Sequence, residues 1–185
     1  MSLLPERIET DRLTLRTWDP SDAELLGTAI TRSIEHLRPY MVWIADEPMT
    51  VEARAELLRN WRRESAEMGD GTYAMLADGE VVGSCGLHHR LGPGALEIGY
   101  WVHVDHVRRG YATEAARALT TAGLAADGIE RIEIHHDASN QSSAGVPRAL
   151  GYRRGPDRSV EPTAPSETGT FWTWFVTADD WPPQR

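Results

Sequence analysis

Tyr100-Trp101-Val102-His103-Val104-Asp105-His106-Val107-Arg108-Arg109-Gly110-Tyr111-Ala112-Thr113-Glu114-Ala115 runs from a strand-like segment through a basic, glycine-containing loop straight into a helix-like segment. A helix start leaves backbone N–H groups without internal partners and gathers positive dipole there, so a loop with small side chains can wrap those donors around a phosphate. Gly110 and Ala112 keep the approach open, and Arg108 and Arg109 add positive charge. Taken alone, the same stretch also fits an ordinary strand-to-helix turn with solvated arginines. The segments on either side decide between the two.

Upstream, Arg12 to Trp18 alternates polar and apolar residues as a half-buried strand does, and Asp19-Pro20-Ser21-Asp22 supplies helix-start residues before Ala23 to Ile30. From Thr50 to Met68, Val51, Ala55, Leu58 and Trp61 recur at helical spacing with charged residues opposite, and Gly69 ends the pattern. Gly71 to Ala77, Glu80 to His89 and Ala95 to Val104 are β-rich runs punctuated by Asp78-Gly79 and by Leu91-Gly92-Pro93-Gly94, which reads as an antiparallel meander. Downstream, Ala115, Ala116, Leu119, Ala122 and Ala126 mark one helix face, with Gly128 as its left-handed cap. Arg131 to Asp137 reads as a strand, Asn140 to Leu150 as a short helix closed by Gly151, and Thr170 to Thr177 as a last aromatic strand. The intervening Gly155 to Gly169, rich in Pro, Ser, Thr and Glu, reads as a flexible loop.

The 185 residues, 41% hydrophobic and 25% charged, suffice for one sizeable core, so residues 1–185 are expected to form a single domain. No apolar run approaches the roughly 20 residues of a membrane span, and the N-terminus lacks a signal-peptide layout, which makes the cytoplasm the expected compartment. Cys85 is the only cysteine, which excludes an internal disulfide or thiolate metal cluster and fits a small core residue in a reducing compartment. The formal net charge of -9 argues against a nucleic-acid surface and is compatible with attraction of cationic amines.

The meander, the Arg108-Arg109-Gly110-Tyr111-Ala112-Thr113-Glu114-Ala115 loop-helix, the strand ending in Asp137, then Asn140-Gln141-Ser142-Ser143 and Leu150-Gly151-Tyr152 together resemble the GNAT superfamily of acyl-CoA-dependent N-acyltransferases. The nearest branch resembles the RimJ/RimL-type ribosomal-protein N-acetyltransferases, from Thr10–Trp18 through Glu97–Val102 to the last strand. The resemblance implies a mixed α/β fold whose central sheet is splayed between its fourth and fifth strands, with acetyl-CoA as co-substrate in the gap. It further implies that the backbone of Tyr100, Trp101 and Val102 faces the pantetheine and thioester, and that Val107, Arg108, Arg109, Gly110, Tyr111, Ala112 and Thr113 surround the pyrophosphate. Asn140 would contact the cofactor or fix the loop, and Ser143 would lie near the thioester sulfur. A homodimer is compatible with the resemblance.

Three positions depart from the family pattern. Val107 stands where Gln or Arg is usual, Val104 where proline is common, and Pro147 where many relatives carry a tyrosine general acid. Main-chain donors are expected to hold the anion regardless, with Arg108 or Arg109 supplying charge. Pro147 cannot donate a proton and removes a helix hydrogen bond; relatives of the RimJ/RimL type often place serine where Ser143 stands, so the resemblance implies that its hydroxyl stabilises the leaving thiolate, and the same hydroxyl equally suits a helix-start cap.

Amine acetylation also needs a neutral nucleophile. At pH 7 an α-amine, with a pKa near 7.7–8.0, is about one-tenth to one-fifth neutral, whereas a lysine amine near 10.4 is neutral in well under one molecule in a thousand. The penalties are roughly 1 and 4–5 kcal/mol, so an α-amine requires only a weak base. Strand alternation puts Glu97 with Trp101 and His103 on one face, which makes Glu97 the first candidate for that base; a solvated or ion-paired glutamate is the competing reading. His88 or His89 could act through a water. Trp43, His88 and Trp101 are the candidate acceptor contacts. Adjacent histidines on strands cannot share one ion, so no metal is expected among the seven histidines.

Three functions follow for testing. The first is an acetyl-CoA-dependent N-acetyltransferase acting on a protein or peptide N-terminal α-amine. The second is an acetyltransferase for a small amine such as a polyamine, amino acid or aminoglycoside. The third is a non-catalytic acyl-CoA sensor, suggested by Pro147.

Overall fold

The computed structural model describes residues 4–181. Its elements are β1 (Arg7–Glu9), β2 (Thr14–Thr17), α1 (Ala23–Leu37), α2 (Val51–Met68), β3 (Gly71–Ala77), β4 (Glu80–His88), β5 (Ala95–Val102), α3 (Tyr111–Leu124), β6 (Arg131–Asp137), α4 (Gln141–Ala149), β7 (Arg153–Arg154), β8 (Arg158–Ser159) and β9 (Thr170–Thr177), with short 3-10 turns between some of them. One sheet runs β1-β2-β3-β4-β5-β6-β9-β7, and β8 also pairs with β9. Among the described residues every strand pairing is antiparallel except β5 with β6, which α3 connects as a crossover.

Side-chain alternation divides the core between the two faces of the sheet. Leu13, Leu15, Tyr73, Met75, Leu87, Leu96, Ile98, Ile132 and Ile134 pack with Ala115, Ala116 and Leu119 of α3 and with Ala144 and Val146 of α4. Trp18, Ala74 and Val81 pack on the opposite face with Leu26 and Ile30 of α1 and Leu58 of α2. Small residues bring α3 close: a Cβ added to Gly123 would sit 2.7 Å from Ile132 Cδ1. Among the described residues no helix is long and apolar enough to cross a membrane.

The one parallel pair among the described residues is also where the sheet opens. Residues Ala95 to Ile98 pair in register with Arg131 to Ile134, and beyond Ile98↔Ile134 the strands run on unpaired with each other to Val102 and Asp137. These are the fourth and fifth strands when β1 is set aside, so the expected splay lies at the expected place.

Other expectations met tertiary constraints. The strand expected to reach Val104 stops at Val102, and Val104–His106 forms a 3-10 turn capped by the His103 ring, whose Nδ1 accepts from Asp105 N at 3.2 Å. His103 therefore turns inward against His106 and leaves the face shared by Glu97 and Trp101. Helix α3 ends at Leu124, and Gly128 takes its left-handed conformation in the following turn rather than as the cap. The segment 155–169, expected to be a flexible loop, carries β8 and is anchored at its far end by Asp137.

Candidate active site

The loop ahead of α3 turns through two left-handed residues, Arg108 at φ 60° and Gly110 at φ 81°. Gly110 is the N-cap of α3, so the first-turn N–H groups of the helix open towards the loop. An element distant in sequence fastens this turn. Arg12 donates through Nη1 to the carbonyl of Arg109 at 2.8 Å, pairs with Glu114 at 2.6 Å and lies over the Tyr111 ring at 5.0 Å. Burial works against ionisation of Glu114, but donors from Thr10 and Arg12 outweigh it and hold the carboxyl below its ordinary range. The Arg109 guanidinium folds back onto the Asp105 carbonyl at 3.1 Å.

Where β5 and β6 part, a cleft of about 710 Å³ is lined by Asn140 and Ser143 together with Tyr40, whose hydroxyl donates to the Ser139 carbonyl at 3.3 Å, and by Trp43 and Trp61. Asn140 is the N-cap of α4, its side-chain oxygen accepting from Ser143 N at 3.1 Å. The cap role thus belongs to Asn140, and the Ser143 hydroxyl meets the Tyr100 hydroxyl at 3.0 Å instead. Pro147 explains the partnership. In a regular helix the N–H of residue 147 would bond the carbonyl of residue 143, and proline has no N–H. Tyr100, reaching across the splay, donates to that carbonyl at 3.1 Å. Burial pushes the Tyr100 phenol well above its ordinary range, against the opposing effect of Ser143.

The cleft lining is also acidic and aromatic. Trp43 and Trp101 face each other with ring centroids 6.3 Å apart. Asp46, Glu64, Asp70, Glu97, Asp137 and Glu167 line the wall, with Glu47, whose carboxylate pairs with Arg54 at 2.6 Å as a fully buried pair. Glu97 receives a bidentate grip from Arg90 at 2.9 and 2.8 Å, and His135 Nδ1 stands 3.7 Å from it. His135 is braced on its other nitrogen by Glu133 at 2.5 Å. Asp70 binds His88 and His89 together.

At the end of β6, Asp137 accepts from Ser139, Thr168 and Gly169 through main-chain and hydroxyl donors. Burial opposes its ionisation, yet these donors prevail and lower its pKa to about 2. Cys85 also borders the cleft, but burial pushes its thiol well above the ordinary range and keeps it protonated.

Residues 12–153 match the acetyltransferase (GNAT) domain. The chain belongs to this family. As a GNAT acetyltransferase it is 28% identical over 145 residues to YdaF of Bacillus subtilis (strain 168), by its name a proposed ribosomal N-acetyltransferase, covering 77% of this chain and 78% of that protein. Its fold is similar to that of RimL, the ribosomal L7/L12 α-N-protein acetyltransferase solved with coenzyme A, at a TM-score of 0.83 and 18% identity over 96% of this chain and 99% of that one. It is equally similar to the microcin C7 self-immunity acetyltransferase MccE, solved with acetyl-CoA and AMP, at 0.83 and 17% identity over 95% and 98%. Sequence reasoning had picked out the loop of this GNAT chain, Trp43, His88, Glu97, Trp101 and Ser143. It passed over Arg12, Asp70, Arg90 and Asp137, whose roles arise from partners far along the chain, and it did not single out Glu114 within the quoted stretch.

Proposed function

We propose that the chain transfers acetyl from acetyl-CoA directly to a protein or peptide N-terminal α-amine. The observation that carries this reading is one cleft at the β5–β6 splay, whose lining combines hydroxyl and main-chain groups with acidic and aromatic side chains. Val107 to Thr113 would hold the pyrophosphate through main-chain donors, with Arg12 keeping the turn in shape. Backbone groups of Tyr100, Trp101 and Val102 would line the pantetheine and thioester, where one preorganised N–H at the developing oxyanion contributes a few kcal/mol. The paired hydroxyls of Ser143 and Tyr100 supply the proton that the thiolate needs on leaving, in place of a tyrosine at position 147.

The excess of carboxylates over unpaired cations in the wall supports a positively charged acceptor. The smaller deprotonation cost of an α-amine, and the ribosomal-protein acetyltransferases among similar proteins, support a polypeptide N-terminus. One observation favours a small amine as the second reading: Tyr40, Trp43, Trp61, Trp101 and Phe171 all line the cleft, and aromatic surface of that kind suits a compact ligand.

Purified protein, acetyl-CoA and a panel of free-N-terminus peptides, lysine peptides and small amines test this, with free CoA thiol and the acetylated nitrogen both read by mass spectrometry. Acetylation at peptide α-nitrogens is expected. Transfer confined to small amines would move the chain to the second reading, and binding of acetyl-CoA without thiol release for any acceptor would make it a sensor.

A further inference from the structure

We propose that His88, held by Asp70, is the catalytic base that takes the proton from the incoming ammonium. The inference rests on the acetyltransferase reading above. Asp70 is a carboxylate that can only accept, so the His88 Nδ1 lying 3.2 Å from its Oδ2 carries the imidazole proton, and the lone pair of the neutral ring sits on Nε2. Asp70 is itself fixed by the His89 main-chain N–H at 2.8 Å and the His89 ring at 3.1 Å.

The two glycines beside the ring give Nε2 its position. His88 pairs with Glu97 across the β4–β5 ladder, and Gly86 pairs with Gly99, one pair short of Cys85↔Tyr100. The imidazole leans back along the strand into the trough those glycines leave: a Cβ on Gly86 would stand 2.6 Å from Nε2, and one on Gly99 3.9 Å. Among the described residues no hydrogen bond engages Nε2. His88 lines the cleft, and its Nε2 lies over Gly86 and near Gly99, beside the strand residues proposed to border the thioester. Both Glu97 oxygens accept from Arg90, so the carboxylate is occupied in orienting the guanidinium.

The charged and titratable groups facing His88 are Asp70 and His89 from either side of β3 and β4, Arg90 and Glu97 from the turn and β5, and His135 from β6. Burial, then the Arg90 charge, lowers the pKa of His88 against the effect of Asp70, which leaves the ring neutral at pH 7. In the reaction Nε2 accepts one N–H proton from the ammonium and passes it to solvent. The neutral nitrogen then forms the C–N bond, the C–S bond breaks with its electron pair on sulfur, and the thiolate is protonated as the amide nitrogen loses its second proton. The balance is ammonium plus thioester to amide, thiol and one proton.

The test compares H88Q, D70N and E97Q with wild type on an N-terminal peptide amine identified by the acceptor panel. H88Q should lose about 100-fold in kcat at neutral pH, the usual scale of general base catalysis, recovering partly as pH rises towards the pKa of the amine. Its acetyl-CoA affinity by calorimetry should stay within twofold. D70N, a positioning change, should lose about tenfold and move the acidic limb of the kcat/KM profile. H88Q turning over within twofold of wild type with the same pH profile would overturn the assignment, as would E97Q showing the large loss in its place. If H88Q fails to fold by circular dichroism, the shift of the limb in D70N decides: an unmoved limb overturns the proposal. Absence of turnover in wild type with every amine would instead refute the acetyltransferase reading itself.

Discussion

Replacement of Asp137 by Asn should weaken the fold and distort the acceptor side of the cleft together. The carboxylate ends β6 and gathers main-chain and hydroxyl donors from Ser139, Thr168 and Gly169. Its pKa of about 2 lies some two units below the ordinary aspartate value of about 3.9. At 1.36 kcal/mol per unit, the ionised form contributes about 2–3 kcal/mol to folding. An amide keeps one acceptor but turns an NH2 group towards donors, which adds about 1 kcal/mol or more. A total of about 3–4 kcal/mol corresponds to a fall in Tm of about 6–16 °C for a chain of this size. The pH dependence has a definite sign. A depressed carboxyl stabilises the fold above its unfolded pKa and loses that contribution as pH falls through its folded pKa, so the gap between wild type and D137N narrows below about pH 4. His88 and His103, each lowered chiefly by burial, act in the same direction from about pH 6.5 downwards and equally in both proteins, whereas His136, also lowered chiefly by burial, loses the opposing Asp137 charge in D137N and is lowered further there. Urea melts at pH 7 and at pH 3.5 measure the gap. Thr168 and Gly169 lie between Glu167 and Phe171 of the cleft wall, so the KM for the acceptor should rise while acetyl-CoA affinity holds. A gap under about 1 kcal/mol at pH 7, or one that stays constant into acid, refutes this account.

Two further outcomes follow from the site. Gly110→Val forces a β-branched residue to φ 81° at the N-cap of α3, with Arg12 Nη2 3.3 Å from the new Cβ, and should weaken acetyl-CoA binding at least tenfold in calorimetry while the thermal midpoint moves by only a few degrees; unchanged affinity would remove the pyrophosphate from this loop. Cys85→Ala should keep most of the turnover, because the thiol is buried and protonated. A large loss of rate in a stably folded C85A would point to a covalent acyl-enzyme instead of direct attack.

Local patterns carried much of the fold. Gly71–Ala77, Arg131–Asp137 and Thr170–Thr177 were legible to the residue because alternation and turn chemistry act over a few neighbours. β1, β7 and β8, of two or three residues each, were not, since strands so short exist only through the partner they pair with. The candidate site divides in the same way. The Arg108–Thr113 loop, Trp43, Glu97 and Ser143 stood out as residue types in a recognisable order. Glu97 was legible as a strand glutamate, but its engagement with Arg90 was not.

The amino-acid order by itself determined a strand-loop-helix with a glycine at its hinge, a proline at position 147 and the carboxylate-rich composition of the chain. Folding decided what those residues face: Arg12 on a loop 97 positions away, Tyr100 on the carbonyl that Pro147 leaves free, and His88 over two glycines of paired strands. The reason is physical. Backbone preference acts between neighbours, whereas the direction of a lone pair or a proton depends on which distant chain segments the packed sheet brings within hydrogen-bonding distance.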